Sequence, residues 1–131
     1  MIRRNPMLAT DVIIRYRGGV VLVRRKNEPY RGKWALPGGF VRYGEKVELA
    51  AMREAREETG LRVKLRDLLG VYSDPKRDPR GHVVSVCFLA QRVGGKMKAA
   101  SDADEVKIFK RIPWEELAFD HVNILKDAGL R

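Results

Sequence analysis

Residues 46–59 of this chain read KVELAAMREAREET, good helix formers throughout until Thr59, and Gly60 follows as a natural residue to end a helix. On such a helix Glu54, Glu57 and Glu58 sit at i, i+3 and i+4, so three carboxylates project within about 100° of arc. Like charges at that spacing repel, and nothing in folding alone favours stacking them. A hard divalent cation resolves the repulsion, because Mg²⁺ takes carboxylate and water oxygens and leaves positions free for phosphate. Arg53, four residues before Glu57, is placed to neutralise and aim a carboxylate. Ala50, Ala51 and Ala55 keep the helix slim enough to lie close to a sheet or loop. Just upstream, Gly38-Gly39 lets backbone approach a ligand or metal with no side chain in the way. A solvated helix laced with i,i+4 ion pairs has the same composition, so the helix taken alone leaves both readings open.

Charge along the chain sharpens the choice. The chain carries 27 Lys+Arg against 17 Asp+Glu, a net +10, and such an excess points to an anionic partner: nucleic acid, a membrane surface or a phosphorylated small molecule. Residues 1–45 are net +7, residues 46–61 net −1, residues 62–92 net +4 and residues 93–131 neutral. One short acidic segment therefore lies between two basic ones, as expected of a site that holds a divalent metal and an anionic ligand together. With 131 residues, 44% of them apolar, a single domain over 1–131 with a real core is expected and disorder is not. The longest apolar runs, such as Val20 to Val23, are too short to span a membrane, and residues 1–6 lead into no apolar leader. The lone Cys87 suits a reducing cytoplasm.

The remaining elements alternate short strands with helices. Asp11 to Tyr16 is β-branched and aromatic, and Arg17-Gly18-Gly19 turns it back into Val20 to Val23, a hairpin. Asn27 to Lys33 is a polar loop, and Trp34-Ala35-Leu36 a short extended piece stopped by Pro37-Gly38-Gly39. Val63 to Tyr72 reads as a strand bent around Asp67, Ser73 to Gly81 as a charged loop, and His82 to Ala90 as a central strand ending near Gly94-Gly95. Glu105 to Lys110 is a further strand, Ile112 to Leu117 begins a short helix, and His121 to Ala128 is a last one. Strands interspersed with two or three helices imply an α/β fold, a mixed sheet covered by helices on both faces.

The spacing through Gly39 to Leu61, GFVRYGEKVELAAMREAREETGL, decides between the two readings of the helix. It resembles the Gly-x5-Glu-x7-Arg-Glu-aliphatic-x-Glu-Glu-x-Gly-aliphatic pattern of the Nudix hydrolase family, met by Gly39, Glu45, Arg53, Glu54, Ala55, Glu57, Glu58, Gly60 and Leu61. Seven fixed positions at about 7% usage each make chance agreement about one in 10⁸ per starting point. The one departure is Ala55, small where the pattern has a larger aliphatic side chain. Trp34-Ala-Leu-Pro-Gly-Gly39 matches the family's lead-in, and the element order matches its α/β/α sandwich over nearly the whole chain.

The resemblance implies hydrolysis of a nucleoside diphosphate linked to another moiety, with water attacking one phosphorus and Mg²⁺ or Mn²⁺ assisting. It implies Glu54, Glu57, Glu58 and the Gly39 carbonyl as metal ligands, Arg53 as the group that orients the glutamates, and Gly38, Glu45 and Gly60 as supports. For the catalytic base it leaves Glu58 and Glu105 open, with Asp102 and Asp104 in the same loop as Glu105. The proline-bearing loop Ser73 to His82 and the segment Leu117-Ala-Phe-Asp-His121 are most similar to the ADP-ribose pyrophosphatase branch. On a stiffened loop Lys76, Arg77 and Arg80 could hold a diphosphate or terminal ribose. Arg24 or Arg25 on the second strand and Phe119 complete the expected substrate contacts, and this branch often forms homodimers. Rival activities are hydrolysis of (oxidised) nucleoside triphosphates, dinucleoside polyphosphates or capped RNA. A nucleic-acid-binding or nucleotide-sensing module is disfavoured because the motif is complete. His82, His121 and Trp114 are expected to serve structure.

Overall fold

The computed structural model describes residues 4–99 and 103–131. Strand β1 (Met7–Tyr16) is its hub. The C-terminal end of β1 turns through Arg17 and Gly18, both with positive φ, into β2 (Gly19–Arg25), pairing Tyr16 with Gly19 and Arg15 with Val20. The other edge of β1 runs parallel to β6 (Val83–Gly95), from Met7 opposite Val83 to Arg15 opposite Gln91. A parallel pair needs a long crossover, which helix α1 (Val47–Thr59) and strand β5 (Leu61–Tyr72) provide, β5 then folding back antiparallel on β6. Short β3 (Trp34–Ala35) joins β2 on one edge and β7 (Ala103–Phe109) joins its other edge. The result is one mixed sheet, ordered β3-β2-β1-β6-β5, with β4 (Gly38–Phe40) added to β1 and β7 to β2.

Strand alternation divides the core between the two faces. Val12, Ile14, Val21, Phe88 and Ala90 pack with Ala51 and Ala55 of α1. Ile13, Val20, Leu22 and Cys87 pack on the opposite face with Ile124 and Leu125 of α2 (His121–Asp127). This is the α/β/α sandwich expected from the sequence. Ala50, Ala51 and Ala55 are fully buried, so the small residue at the motif's aliphatic position is what seats α1 close to the sheet. A leucine at Ala55 would overpack that contact at about 1–3 kcal/mol. Gly60 ends α1 at φ 80 and donates its N–H to the Arg56 carbonyl. A Cβ there would stand 2.2 Å from the Lys96 carbonyl oxygen.

Three expectations need correction. The first strand begins at Met7, not Asp11, because its N-terminal half is held by β6 and β4 rather than by the hairpin. The segment expected to open a helix at Ile112 makes a single 3₁₀ turn, Trp114–Glu116. Leu117 is drawn into extended backbone beside Trp34, and the Ala118 N–H bonds the Trp34 carbonyl at 2.8 Å. Gly38-Gly39 is not merely a stop: it forms β4, with Asp11 opposite Gly38 and Thr10 opposite Gly39. The bend at Asp67 is present as a register shift between Leu65 and Asp67.

Candidate active site

The motif folds back on itself around one side chain. The Arg53 guanidinium donates to Glu45 through Nε (2.7 Å) and Nη2 (2.9 Å), and to Glu54 (2.6 Å) and Glu57 (3.1 Å) through Nη1. Nη2 also reaches the Phe40 carbonyl at 3.2 Å. One planar fork therefore ties the start of the motif loop, the end of β4 and two helix carboxylates together, a set that a point charge on a flexible stem could not serve. Glu45 in turn accepts the Arg42 N–H at 3.0 Å, closing the turn that carries Gly44 at φ 81. Hydrogen bonds from Arg53 and from the Arg42 backbone hold the Glu45 carboxyl down at about 2. The same ion pairing raises the Arg53 pKa above its ordinary value.

Glu54 lies against β4 so closely that a Cβ on Gly39 would be 2.5 Å from its carboxylate. This is a direct reason for glycine at the position. Glu57 is half-exposed, with Arg42 3.8 Å away, and Glu58 is partly buried on the same helix. Among the described residues no three His, Cys, Asp or Glu side chains converge on a ready-made metal position; Arg53 occupies Glu54 and Glu57 instead. Two features nevertheless fit a hard cation with its water. The three carboxylates share a helix face, Glu54 of them against Gly39, and the fully buried Thr10, opposite Gly39, has a hydroxyl with no hydrogen-bond partner.

Gly39 and Glu54 form one side of a cavity of about 380 Å³ whose walls include Asp11, Arg25, Phe40, Arg80, Phe119 and His121. Of the two strand arginines it is Arg25 that lines the cavity, with its guanidinium 5.0 Å from the centre of the Phe119 ring and bonded to the Pro29 carbonyl. Arg24 is paired with Glu105 across β2 and β7 at 2.9 Å, outside this cavity. Arg80 stands over both Phe40 and Phe119, at 5.4 and 5.6 Å, and clasps buried Asp78. Burial alone would raise the Asp78 carboxyl, yet the hydrogen bonds from Arg80 hold it below the ordinary value. Phe119 has φ 53 and meets Tyr30, itself at φ 63, edge-on at 4.8 Å. Side-chain residues rarely adopt this backbone region, and where they do they gather around functional sites.

The loop arginines separate. Arg77, expected on an exposed turn, is 5% exposed and bonds both Asp120 carboxylate oxygens at 2.8 and 2.9 Å. Burial pulls its pKa down, and the hydrogen bonds and charges of Asp120 and Asp11 outweigh that. It pins the loop to the start of α2 and itself forms part of the cavity wall. Lys76 is exposed, its N–H in a turn with Asp74, and is not part of the cavity wall. Asp102 lies outside the described residues, and of Asp104 only the backbone is described. The sequence pattern passed over Asp11, Thr10 and Asp120, and put His121 in a structural role ahead of a hydrogen bond to substrate. The only mark of Asp11 in the sequence is a charge at the head of an apolar strand.

The family model of the NUDIX domain matches residues 5–128. The chain is 51% identical over 123 residues to the ADP-ribose pyrophosphatase of Methanocaldococcus jannaschii, covering 94% of this chain and 73% of that protein. A NUDIX hydrolase from Nitrosomonas europaea superposes with a TM-score of 0.86 at 34% identity, over 95% of this chain and 70% of that one. The NUDIX domain of Shewanella oneidensis NrtR, solved with ADP ribose, superposes with a TM-score of 0.80 at 27% identity, over 97% and 88%. With the motif, the sandwich and these likenesses in agreement, the chain belongs to the Nudix family of hydrolases.

Proposed function

We propose that this Nudix hydrolase is a metal-dependent pyrophosphohydrolase that cleaves ADP-ribose to AMP and ribose 5-phosphate. The observation that carries the reading is the Arg53 knot, which sets Glu54 against Gly39 in the wall of a cavity that also presents Arg25, Arg80 and Phe119. The 51% identity to a protein named ADP-ribose pyrophosphatase supports the choice of substrate, as does the likeness to a domain solved with ADP ribose.

Glu54, Glu57, Glu58 and the Gly39 carbonyl would hold Mg²⁺ or Mn²⁺. When bound, such an ion neutralises diphosphate charge and lowers the pKa of water. The chain's own groups do the rest. Arg53 keeps the carboxylates aimed, and Arg25 and Arg80 offer planar donors to phosphate. Phe119 offers a ring face to the base or ribose. Glu58, on the carboxylate face of α1, is the group that takes the proton of the attacking water, and Glu105, paired with Arg24 outside the cavity, is the alternative base. The reading also carries a homodimer in the cytoplasm and a nucleotide, rather than nucleic acid, as partner.

The test is a turnover panel of ADP-ribose, nucleoside triphosphates (oxidised ones included) and dinucleoside polyphosphates with Mg²⁺ and with Mn²⁺, run on wild type and Glu57→Gln. ADP-ribose is expected to turn over fastest, and Glu57→Gln to lose about 10²–10³-fold in kcat. Fast triphosphate hydrolysis with no ADP-ribose turnover would sink the substrate assignment, and an undiminished Glu57→Gln would sink the metal site.

A further inference from the structure

The two glycines of β4 are gripped from opposite faces. Gly39 abuts the Glu54 carboxylate on the α1 side. On the α2 side a Cβ at Gly38 would lie 2.5 Å from Asp11 Oδ1. Behind Asp11 lies a buried polar cluster that the hydrolysis so far has not used. His121, 3% exposed, accepts the Leu36 N–H on Nδ1 at 3.0 Å. That bond leaves the ring proton on Nε2, which faces Asp11 Oδ1 at 3.6 Å, an electrostatic contact longer than a hydrogen bond. Asp11 Oδ2 accepts the Ser85 hydroxyl at 2.6 Å and stands 3.9 Å from Arg77. Leu36 is two residues before Gly38, with rigid Pro37 between them, and the Pro37 carbonyl bonds the Val12 N–H at 2.9 Å.

We propose that His121 is a positioning residue for diphosphate hydrolysis: its Nδ1 anchors Leu36, and with Asp11 it holds the Gly38-Gly39 backbone against Glu54. The proposal rests on the reading that Gly39 and Glu54 serve the reaction. It assigns the imidazole a role through a single acceptor atom rather than through bulk, and that makes it separable from packing. Asparagine places an amide oxygen near the position of Nδ1 and drops Nε2. Glutamine reaches the position of Nε2 and loses the acceptor at Nδ1.

The experiment compares His121→Asn and His121→Gln with wild type in two measurements. The first is amide hydrogen exchange at Leu36 in protein freed of metal. The second is kcat and KM on whichever diphosphate the wild type hydrolyses best. Asparagine is expected to keep Leu36 protected and kcat within about threefold. Glutamine is expected to speed Leu36 exchange at least tenfold and to lower kcat about 10–100-fold, as loss of an orienting partner does, with KM within about threefold. Equal exchange and equal kcat in the two variants overturn the proposal. So does a loss of kcat in both that merely tracks the folded fraction in a thermal melt. Failure of the substrate assignment shows instead in the wild type, as preference for another diphosphate, and a wild type that hydrolyses none of them overturns both.

Discussion

At the scale of single residues, Arg53 is the side chain on which the site depends, because five oxygens from two carboxylates of the helix, one of the loop and one carbonyl of β4 meet at one fork. Arg53→Lys keeps the charge and loses the fork, so kcat is expected to fall about 10–100-fold and the thermal midpoint to drop with the lost Glu45 bonds; steady-state kinetics beside a melt checks both. Glu45 makes a pH prediction. Its folded pKa of about 2 lies below the ordinary carboxyl value of 4.5, so its ionised form stabilises the fold above pH 4.5. That contribution is lost as pH falls from 4.5 through 2. Glu45→Gln is expected to melt lower than wild type at neutral pH and to flatten this acid limb, so that the two melting curves converge near pH 2. Parallel curves would show that Glu45 is not the group titrating. The meeting of Arg53 with Glu57 was legible from i,i+4 geometry, and the gathering of Glu45 and Glu54 with it from the motif that the sequence resembles. Arg77 was not legible as a buried strut, because its partner Asp120 is 43 positions away and no local pattern announces the pair.

At the scale of elements, helix α1 and the hairpin were readable from propensity, capping and turn residues, since each is decided by neighbours along the chain. Strand β4 was not, because Gly38-Gly39 carries no side-chain pattern and becomes a strand only through pairing with β1. The same holds for the 3₁₀ turn, which is shortened by the distant bridge from Leu117 to Trp34. The two β4 glycines are expected to differ on substitution. At Gly38 an added methyl group meets the Thr10 carbonyl oxygen at 2.1 Å, backbone that cannot yield without parting β4 from β1. At Gly39 its three nearest neighbours are all atoms of the Glu54 carboxylate, the end of a flexible side chain that can swing away. Gly38→Ala should therefore lower stability by about 1–3 kcal/mol, as overpacking does. Gly39→Ala should leave stability nearly intact and remove most activity, because the displaced carboxylate is a proposed metal ligand. Denaturant unfolding and turnover measured on both variants check the contrast, and a Gly39→Ala enzyme of normal activity would show that the closeness of Glu54 to β4 is incidental.

At the scale of the whole molecule, the sandwich places its net charge of +10 around one acidic helix, and the question is whether charges remote from the cavity act on the substrate. The hairpin end of β1 supplies a test. Arg15 and Arg17 are exposed, Arg17 stacked on Tyr16 at 5.0 Å, at the opposite end of the strand from Thr10 and Asp11. Five residues of strand put Arg15 about 17 Å from Thr10. That span lies inside the Debye length of about 30 Å at 0.01 M salt and outside the 10 Å at 0.1 M. If the basic surface draws an anionic diphosphate toward carboxylates that would otherwise repel it, the double variant Arg15→Glu, Arg17→Glu should lower kcat/KM several-fold at 0.01 M salt, a part of the tenfold-and-upward steering that a whole protein's field supplies. The two enzymes should become indistinguishable by 0.15 M, with kcat unchanged throughout. Identical kcat/KM at 0.01 M would leave Arg15 and Arg17 without a part in substrate capture. A deficit that persists at 0.15 M would instead show that the hairpin acts on the site through the fold, since screened charges at that distance have no other way to reach it.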